Sequence, residues 1–118
     1  MKNKPTLKID EFGNQAWYLN GKLHRIDGPA IKNSNGDKYW FLNGKLHRID
    51  GPAVEWANGV KFWYLNGKKH RINGPAIEWE NGDKEWYLNG KQVKEEDVII
   101  NAHLTEKEYI EFILKRLS

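Results

Sequence analysis

Four tryptophans, Trp17, Trp40, Trp63 and Trp86, stand 23 residues apart, and the residues around them repeat with them. Aligned on these positions the chain reads WYLNGKLHRIDGPAIKNSNGDKY, WFLNGKLHRIDGPAVEWANGVKF, WYLNGKKHRINGPAIEWENGDKE and a short WYLNGKQ. A unit of this length cannot bury an apolar face by itself, so units must stack and share a core. Each full unit also carries two Asn-Gly pairs. One follows the aromatic run (Asn20-Gly21, Asn43-Gly44, Asn66-Gly67, then Asn89-Gly90) and one precedes it (Asn35-Gly36, Asn58-Gly59, Asn81-Gly82). Asn-Gly tolerates the positive φ of type I′ turns, and between apolar runs it signals a tight hairpin. The chain is therefore expected to reverse twice per unit, giving a mainly β fold: an open antiparallel meander of hairpin repeats, about 7–9 strands long.

Alternation along a strand sorts the side chains into faces. Trp17, Trp40, Trp63 and Trp86 fall with Leu19, Leu42, Leu65 and Leu88, and this row is the expected core. Tyr18, Phe41, Tyr64 and Tyr87 fall on the other face, beside Tyr39 and Phe62, as a row either covered or offered to a partner. The returning arm is interrupted at Gly28-Pro29, Gly51-Pro52 and Gly74-Pro75, where proline suits a bend or bulge. Beyond the bend Val54 and Trp56 share a face, as do Ile77 and Trp79, with Glu55 and Glu78 opposite.

The ends differ from the repeats. Leu7 to Phe12 alternates like a starting strand. From Tyr109 to Leu117 the apolar residues Tyr109, Ile110, Ile113, Leu114 and Leu117 recur at helical spacing behind Thr105-Glu106-Lys107-Glu108, which fits a capping box. A helix over about 105–117 follows, with a shorter one from Glu95 to Ala102. The expected organisation is one domain, 1–118: an N-terminal strand (1–16), the repeats (17–92) and a helical cap (93–118).

Composition narrows the chemistry. There is no cysteine, so neither a disulfide nor a thiolate enters the account. Aromatic residues make up 13%, which suits a sheet. The net charge of +3 is too small to require an anionic partner. No apolar run reaches membrane-spanning length and no secretory leader is visible, so a cytoplasmic location is the expectation.

The 23-residue period, the aromatic strand, the NGK turn and the His that follows it resemble MORN repeats, and WYLNGKLHRIDGPA resembles a MORN-like variant found in short bacterial and phage proteins. The resemblance covers about 17–92. It implies an elongated array of β-hairpins, a scaffold or protein-interaction role, and no catalytic activity. By analogy of context, and not from the motif itself, a small protein of this kind in a phage setting is expected to inhibit a host defence system.

The candidate site is the repeated Lys-x-His-Arg-Ile-Asp/Asn-Gly-Pro segment. It contributes His24 and Arg25, His47 and Arg48, and His70 and Arg71, with Lys22, Lys45 and Lys68 before them. One reading is a cationic ladder for phosphates or an acidic protein surface. The other is structural, with His and Arg bonding the bent backbone and Asp27, Asp50 or Asn73 closing an Asx turn. Phe41, Tyr64 and Tyr87 would add an aromatic contact surface. No cofactor or metal is expected: equivalent histidines two strand spacings apart lie roughly 9–10 Å from one another, too far to share zinc. No catalytic residue is assigned, since the serines lack a nucleophile context and the His24–Asp27 pair recurs as packing positions do. The expected partner is another protein. Nucleic acid or a nucleotide is the alternative, and self-association through edge strands near 7–12 and 86–93 a further possibility, with Lys8, Lys91 and Lys94 as guards.

Overall fold

The computed structural model describes residues 4–101 and 106–117. The chain is mainly β. Its strands are β1 (Thr6–Ile9), β2 (Gln15–Leu19), β3 (Lys22–Leu23), β4 (Ile31–Lys32), β5 (Lys38–Tyr39), β6 (Phe41–Leu42), β7 (Lys45–Leu46), β8 (Val54–Glu55), β9 (Lys61–Phe62), β10 (Tyr64–Leu65), β11 (Lys68–Lys69), β12 (Ile77–Glu78), β13 (Lys84–Leu88) and β14 (Lys91–Val93). Two helices follow, α1 (Glu95–Asn101) and α2 (Glu106–Leu117). Every pairing is antiparallel. Ten strands make one open sheet in the order β1-β2-β4-β5-β8-β9-β12-β13-β14, with β3 beside β2; β6–β7 and β10–β11 are separate hairpins.

Among the described residues fourteen short strands replace the expected 7–9 longer ones, because two outgoing arms divide at Trp40 and Trp63 and three returning arms divide at the Gly-Pro excursion. The N–H of Trp40 donates to the carbonyl of Ala53 at 2.7 Å, while its own carbonyl accepts the N–H of His47 at 3.0 Å. A single outgoing residue thus faces both ends of the excursion 48–52 in the returning arm. Trp17 does the same with Ala30 and His24, and Trp63 with Ala76 and His70. The bend expected at Gly-Pro is this loop.

The two Asn-Gly sets also differ. Asn20, Asn43, Asn66 and Asn89 have φ of 52°, 49°, 48° and 51°, with positive φ at the next glycine, as a type I′ turn requires. In the other set only Gly36, Gly59 and Gly82 are left-handed. There Gly36 N–H donates to Asn33 and Asn33 N–H to Asp37, a three-residue turn ending in a glycine bulge.

The core is built from small and branched residues more than from tryptophan. Ala30, Ala53 and Ala76 are fully buried, and Val54, Val60, Ile77, Leu88 and Val98 join them. Register sets Tyr39 opposite Val54, Val54 opposite Phe62, and Phe62 opposite Ile77, so these share a face. Trp56 and Trp79 close on Phe62 edge-to-face, at 4.9 and 5.5 Å between centroids. On the opposite face Lys38, Glu55, Lys61, Glu78 and Lys84 alternate in sign across the strands, which favours the pairing. Glu55 and Glu78 take that face as the alternation predicts.

The array is closed at one end by α1. The N–H of Lys94 donates to the Asp97 carboxylate at 3.3 Å, and Glu95, Glu96 and Asp97 place negative charge on the first turn. Val98 of α1 is buried, and α1 packs against β13. The capping box proposed at Thr105 falls partly outside the described residues. No helix among those residues is long and apolar enough to cross a membrane.

Candidate functional site

Each His-Arg-Ile-Asp/Asn-Gly-Pro loop is the 23-residue unit's excursion away from the sheet, and its polar side chains hold it there. The Nδ1 of His24 accepts the backbone N–H of Asn43 at 2.9 Å; His47 accepts that of Asn66 at 3.0 Å, and His70 that of Asn89 at 2.8 Å. Each histidine therefore caps the type I′ turn of the following unit. This contact needs Nδ1 unprotonated, which places the ring proton on Nε2. Burial also holds the His70 imidazole below its ordinary pKa.

The arginine folds back over its own tryptophan. The guanidinium carbon lies 4.5 Å from the Trp17 ring centroid for Arg25, and 3.9 Å from Trp40 and Trp63 for Arg48 and Arg71. Nη1 donates to the carbonyls of Pro29, Pro52 and Pro75, tying the two ends of each loop. Nε donates to Asp27, Asp50 and Asn73. These side chains thus receive the arginine in place of closing the expected Asx turn. The Arg25 bond holds the Asp27 carboxyl below its usual range. In the second and third units Nη1 also meets Glu55 at 2.8 Å and Glu78 at 3.6 Å. The equivalent residue in the first unit is Lys32, and there the arginine sits farther from its ring.

Glycine in Gly-Pro is explained by this stacking. A Cβ on Gly28, Gly51 or Gly74 would stand 2.9, 2.8 or 2.6 Å from the guanidinium carbon. None of the three has a positive φ, so close approach and not backbone conformation demands glycine. The lysines are used in a related way. The aliphatic stems of Lys22, Lys45 and Lys68 lie along Gly44, Gly67 and Gly90, one unit on, with ordinary contact distances of 3.6–3.9 Å to a Cβ built there.

The loops consequently carry few free polar groups but a row of exposed apolar ones. Ile26 is 83% and Ile49 81% exposed; Ile72, in the last loop, is 40% exposed. His24, Arg25, Ile26, Trp40, Leu42, Asn43, His47, Arg48 and Ile49 line a cleft of about 960 Å³ between the first two loops. Sequence reasoning passed over these isoleucines. Their signal was present: at two residues from His in every unit, they lie in a stretch that cannot be strand because of Gly-Pro.

The aromatic row is less of a surface than expected. Tyr18, Tyr39, Phe41, Phe62, Tyr64 and Tyr87 are all half-buried. Tyr39 and Phe62 belong to the main sheet, whereas Phe41 and Tyr64 lie in the side hairpins, so the six do not form one stripe. Desolvation raises the Tyr64 pKa; it also raises that of Tyr87, whose hydroxyl donates to Glu85 at 3.2 Å. Among the described residues no three His, Cys, Asp or Glu side chains come together as a metal site. Comparison with family models, curated proteins and solved structures finds no match to this chain.

Proposed function

We propose that the chain is a non-enzymatic binding module, in the manner of the MORN repeats it resembles, and that it engages a partner protein through the face made by the His-Arg-Ile-Asp/Asn-Gly-Pro loops. The observation that carries this reading is the exposed isoleucine row on loops pinned by Arg–Trp stacking. Apolar side chains held rigidly on a surface lose little entropy on contact, and contiguous exposed apolar patches commonly mark interaction sites. The His and Arg side chains support the surface by fixing the loops, and the backbone carbonyls of Phe41, Tyr64 and Tyr87 accept the N–H groups of Arg25, Arg48 and Arg71 at the start of each loop. In a phage setting the partner would be a component of a host defence system.

The nucleic-acid reading is the weaker one. Arg48 and Arg71 face Glu55 and Glu78, and Arg25 and Arg48 face Asp27 and Asp50. This leaves the lysine ladder as the main cationic element.

Affinity purification from the native host with the wild-type chain and with the double variant Ile26→Asp/Ile49→Asp tests the proposal. Both positions are over 80% exposed, so the variant should fold normally. A protein that co-purifies with the wild type and is lost with the variant is the expected result. Equal recovery would refute the assignment of this face, and salt-sensitive retardation of DNA or RNA in its place would favour the alternative.

A further inference from the structure

An asparagine followed by glycine can rearrange in water, because the next backbone nitrogen can close on the side-chain amide and glycine has no Cβ to obstruct it. The chain holds eight such pairs. Seven belong to the two sets of turns. The eighth, Asn73-Gly74, stands in the third loop where the first two loops have Asp27-Gly28 and Asp50-Gly51. The fold ties up the attacking nitrogen in six of the eight. Gly44, Gly67 and Gly90 donate their N–H to the carbonyls of Leu23, Leu46 and Lys69, and Gly36, Gly59 and Gly82 donate theirs to Asn33, Trp56 and Trp79. In the second group Oδ1 of the asparagine is engaged as well, by the N–H of Asp37, Val60 and Asp83. Among the described residues only the N–H groups of Gly21 and Gly74 are left without a hydrogen bond. The two differ at the amide. Asn20 sits in a type I′ turn with no donor on its side chain, whereas Oδ1 of Asn73 accepts the Arg71 Nε–H at 3.2 Å, and Asn73 is exposed to water.

We propose that Asn73 is a site of self-modification: the chain deamidates there in water, through a succinimide with Gly74, and the third loop acquires the carboxylate that the first two carry. The Gly74 nitrogen gives its proton to solvent and attacks Asn73 Cγ. That N–C bond forms, the Cγ–Nδ2 bond breaks, and Nδ2 departs as ammonia with a proton from water. Water then opens the ring at one of its two carbonyls. The sum is amide plus water to carboxylic acid plus ammonia, with nothing oxidised or reduced. Arg71 acts at both additions. Its Nε donates to the oxygen that gathers negative charge as Gly74 attacks. The same contact polarises the side-chain carbonyl of the ring. Water entering there leaves aspartate on an ordinary backbone, whereas water entering at the backbone carbonyl leaves isoaspartate. The aspartate fits a place the fold already builds twice: Arg25 Nε donates to Asp27 at 2.9 Å and Arg48 Nε to Asp50 at 3.2 Å.

The test holds the full-length chain at mildly alkaline pH, folded in one sample and unfolded in urea in another. All eight sites are followed by peptide mapping with mass spectrometry that separates aspartate from isoaspartate. A hydrogen bond that must open first slows a site about fivefold, so folding should slow the six bonded pairs at least that much. Asn73 should react in the folded chain as fast as in urea or faster, and ahead of Asn20. Its product should be mainly aspartate in the folded chain and mainly isoaspartate in urea. Arg71→Ala should slow Asn73 and move its product towards isoaspartate, a ratio that an arginine with a purely structural role would not change. Folding that slows Asn73 as much as Asn43, conversion of Asn20 first, or the same product ratio with and without urea would each overturn the proposal. These three comparisons use the wild-type chain alone, so they stand even where Arg71→Ala fails to fold.

Discussion

Replacing Gly51 with alanine isolates the energy held in one loop. The added Cβ would lie 2.8 Å from the Arg48 guanidinium carbon and 3.0 Å from Nε and Nη1. The backbone at Gly51 needs no positive φ, so it can accept alanine, and the arginine head must move instead. What is lost is what that head holds. Its position over Trp40 contributes about 0.5–2 kcal/mol. Its charged hydrogen bond to Pro52 contributes about 1.5–3 kcal/mol. The pair with Glu55, a third exposed, adds about 0–1 kcal/mol, and that with the exposed Asp50 almost nothing. These terms overlap, so about 2–4 kcal/mol is a fair total; alanine returns about 0.4–1 kcal/mol by restricting the unfolded chain. A net loss of about 1–3 kcal/mol is expected in urea unfolding followed by tryptophan fluorescence. The decisive comparison is the same substitution in an Arg48→Ala background. With no guanidinium to displace, Gly51→Ala should there be neutral or slightly stabilising. An equal loss in both backgrounds would refute the reasoning and return the glycine to a backbone role.

Further expectations follow from the same contacts. Ala53 is fully buried and its carbonyl receives Trp40, so Ala53→Leu should cost about 1–3 kcal/mol of unfolding free energy by overpacking. Asn66 has φ of 48°, so Asn66→Ala should lower stability by about 1–2 kcal/mol while Asn66→Gly is close to neutral in the same assay. Asn58 has no such φ, and Asn58→Ala should lose only its Oδ1 bond to Val60 N–H, about 0.5–1.5 kcal/mol. The folded-state pKa of His70 is lowered from an ordinary 6.5, so below that value the unfolded chain takes up the proton more readily than the folded one. Stability should therefore be full above pH 6.5 and decline as the pH falls beneath it, and the decline should be smaller in His70→Asn when unfolding is measured across about pH 5–7.

Much of this fold is written in the repeat. The tryptophan spacing and the Asn-Gly pairs give the reversals, and alternation places Val54 and Ile77 inward with Glu55 and Glu78 outward. The breaks at Trp40 and Trp63 were not legible, because nothing local tells a strand residue to bond both ends of a loop. Nor did Asn-Gly alone separate a type I′ turn from a glycine bulge; the difference lies in which residues precede it and how the strands arrive. The loop chemistry was half legible. A repeated His and Arg suggested either a ladder of ligands or a structural bend, and the choice depends on a third residue, the tryptophan eight positions before the arginine. The fourth unit has Lys94 at that position and no Gly-Pro, which marks the end of the array.

Folding and binding are assigned to neighbouring residues of one loop, and paired measurements on Arg48→Ala and Ile49→Asp test that division most directly. For a partner captured by the wild-type chain, affinity and urea midpoint are recorded for both variants. Ile49→Asp should keep the midpoint and lose the affinity, whereas Arg48→Ala should lower the midpoint. Full affinity in Ile49→Asp with its midpoint unchanged would contradict the account.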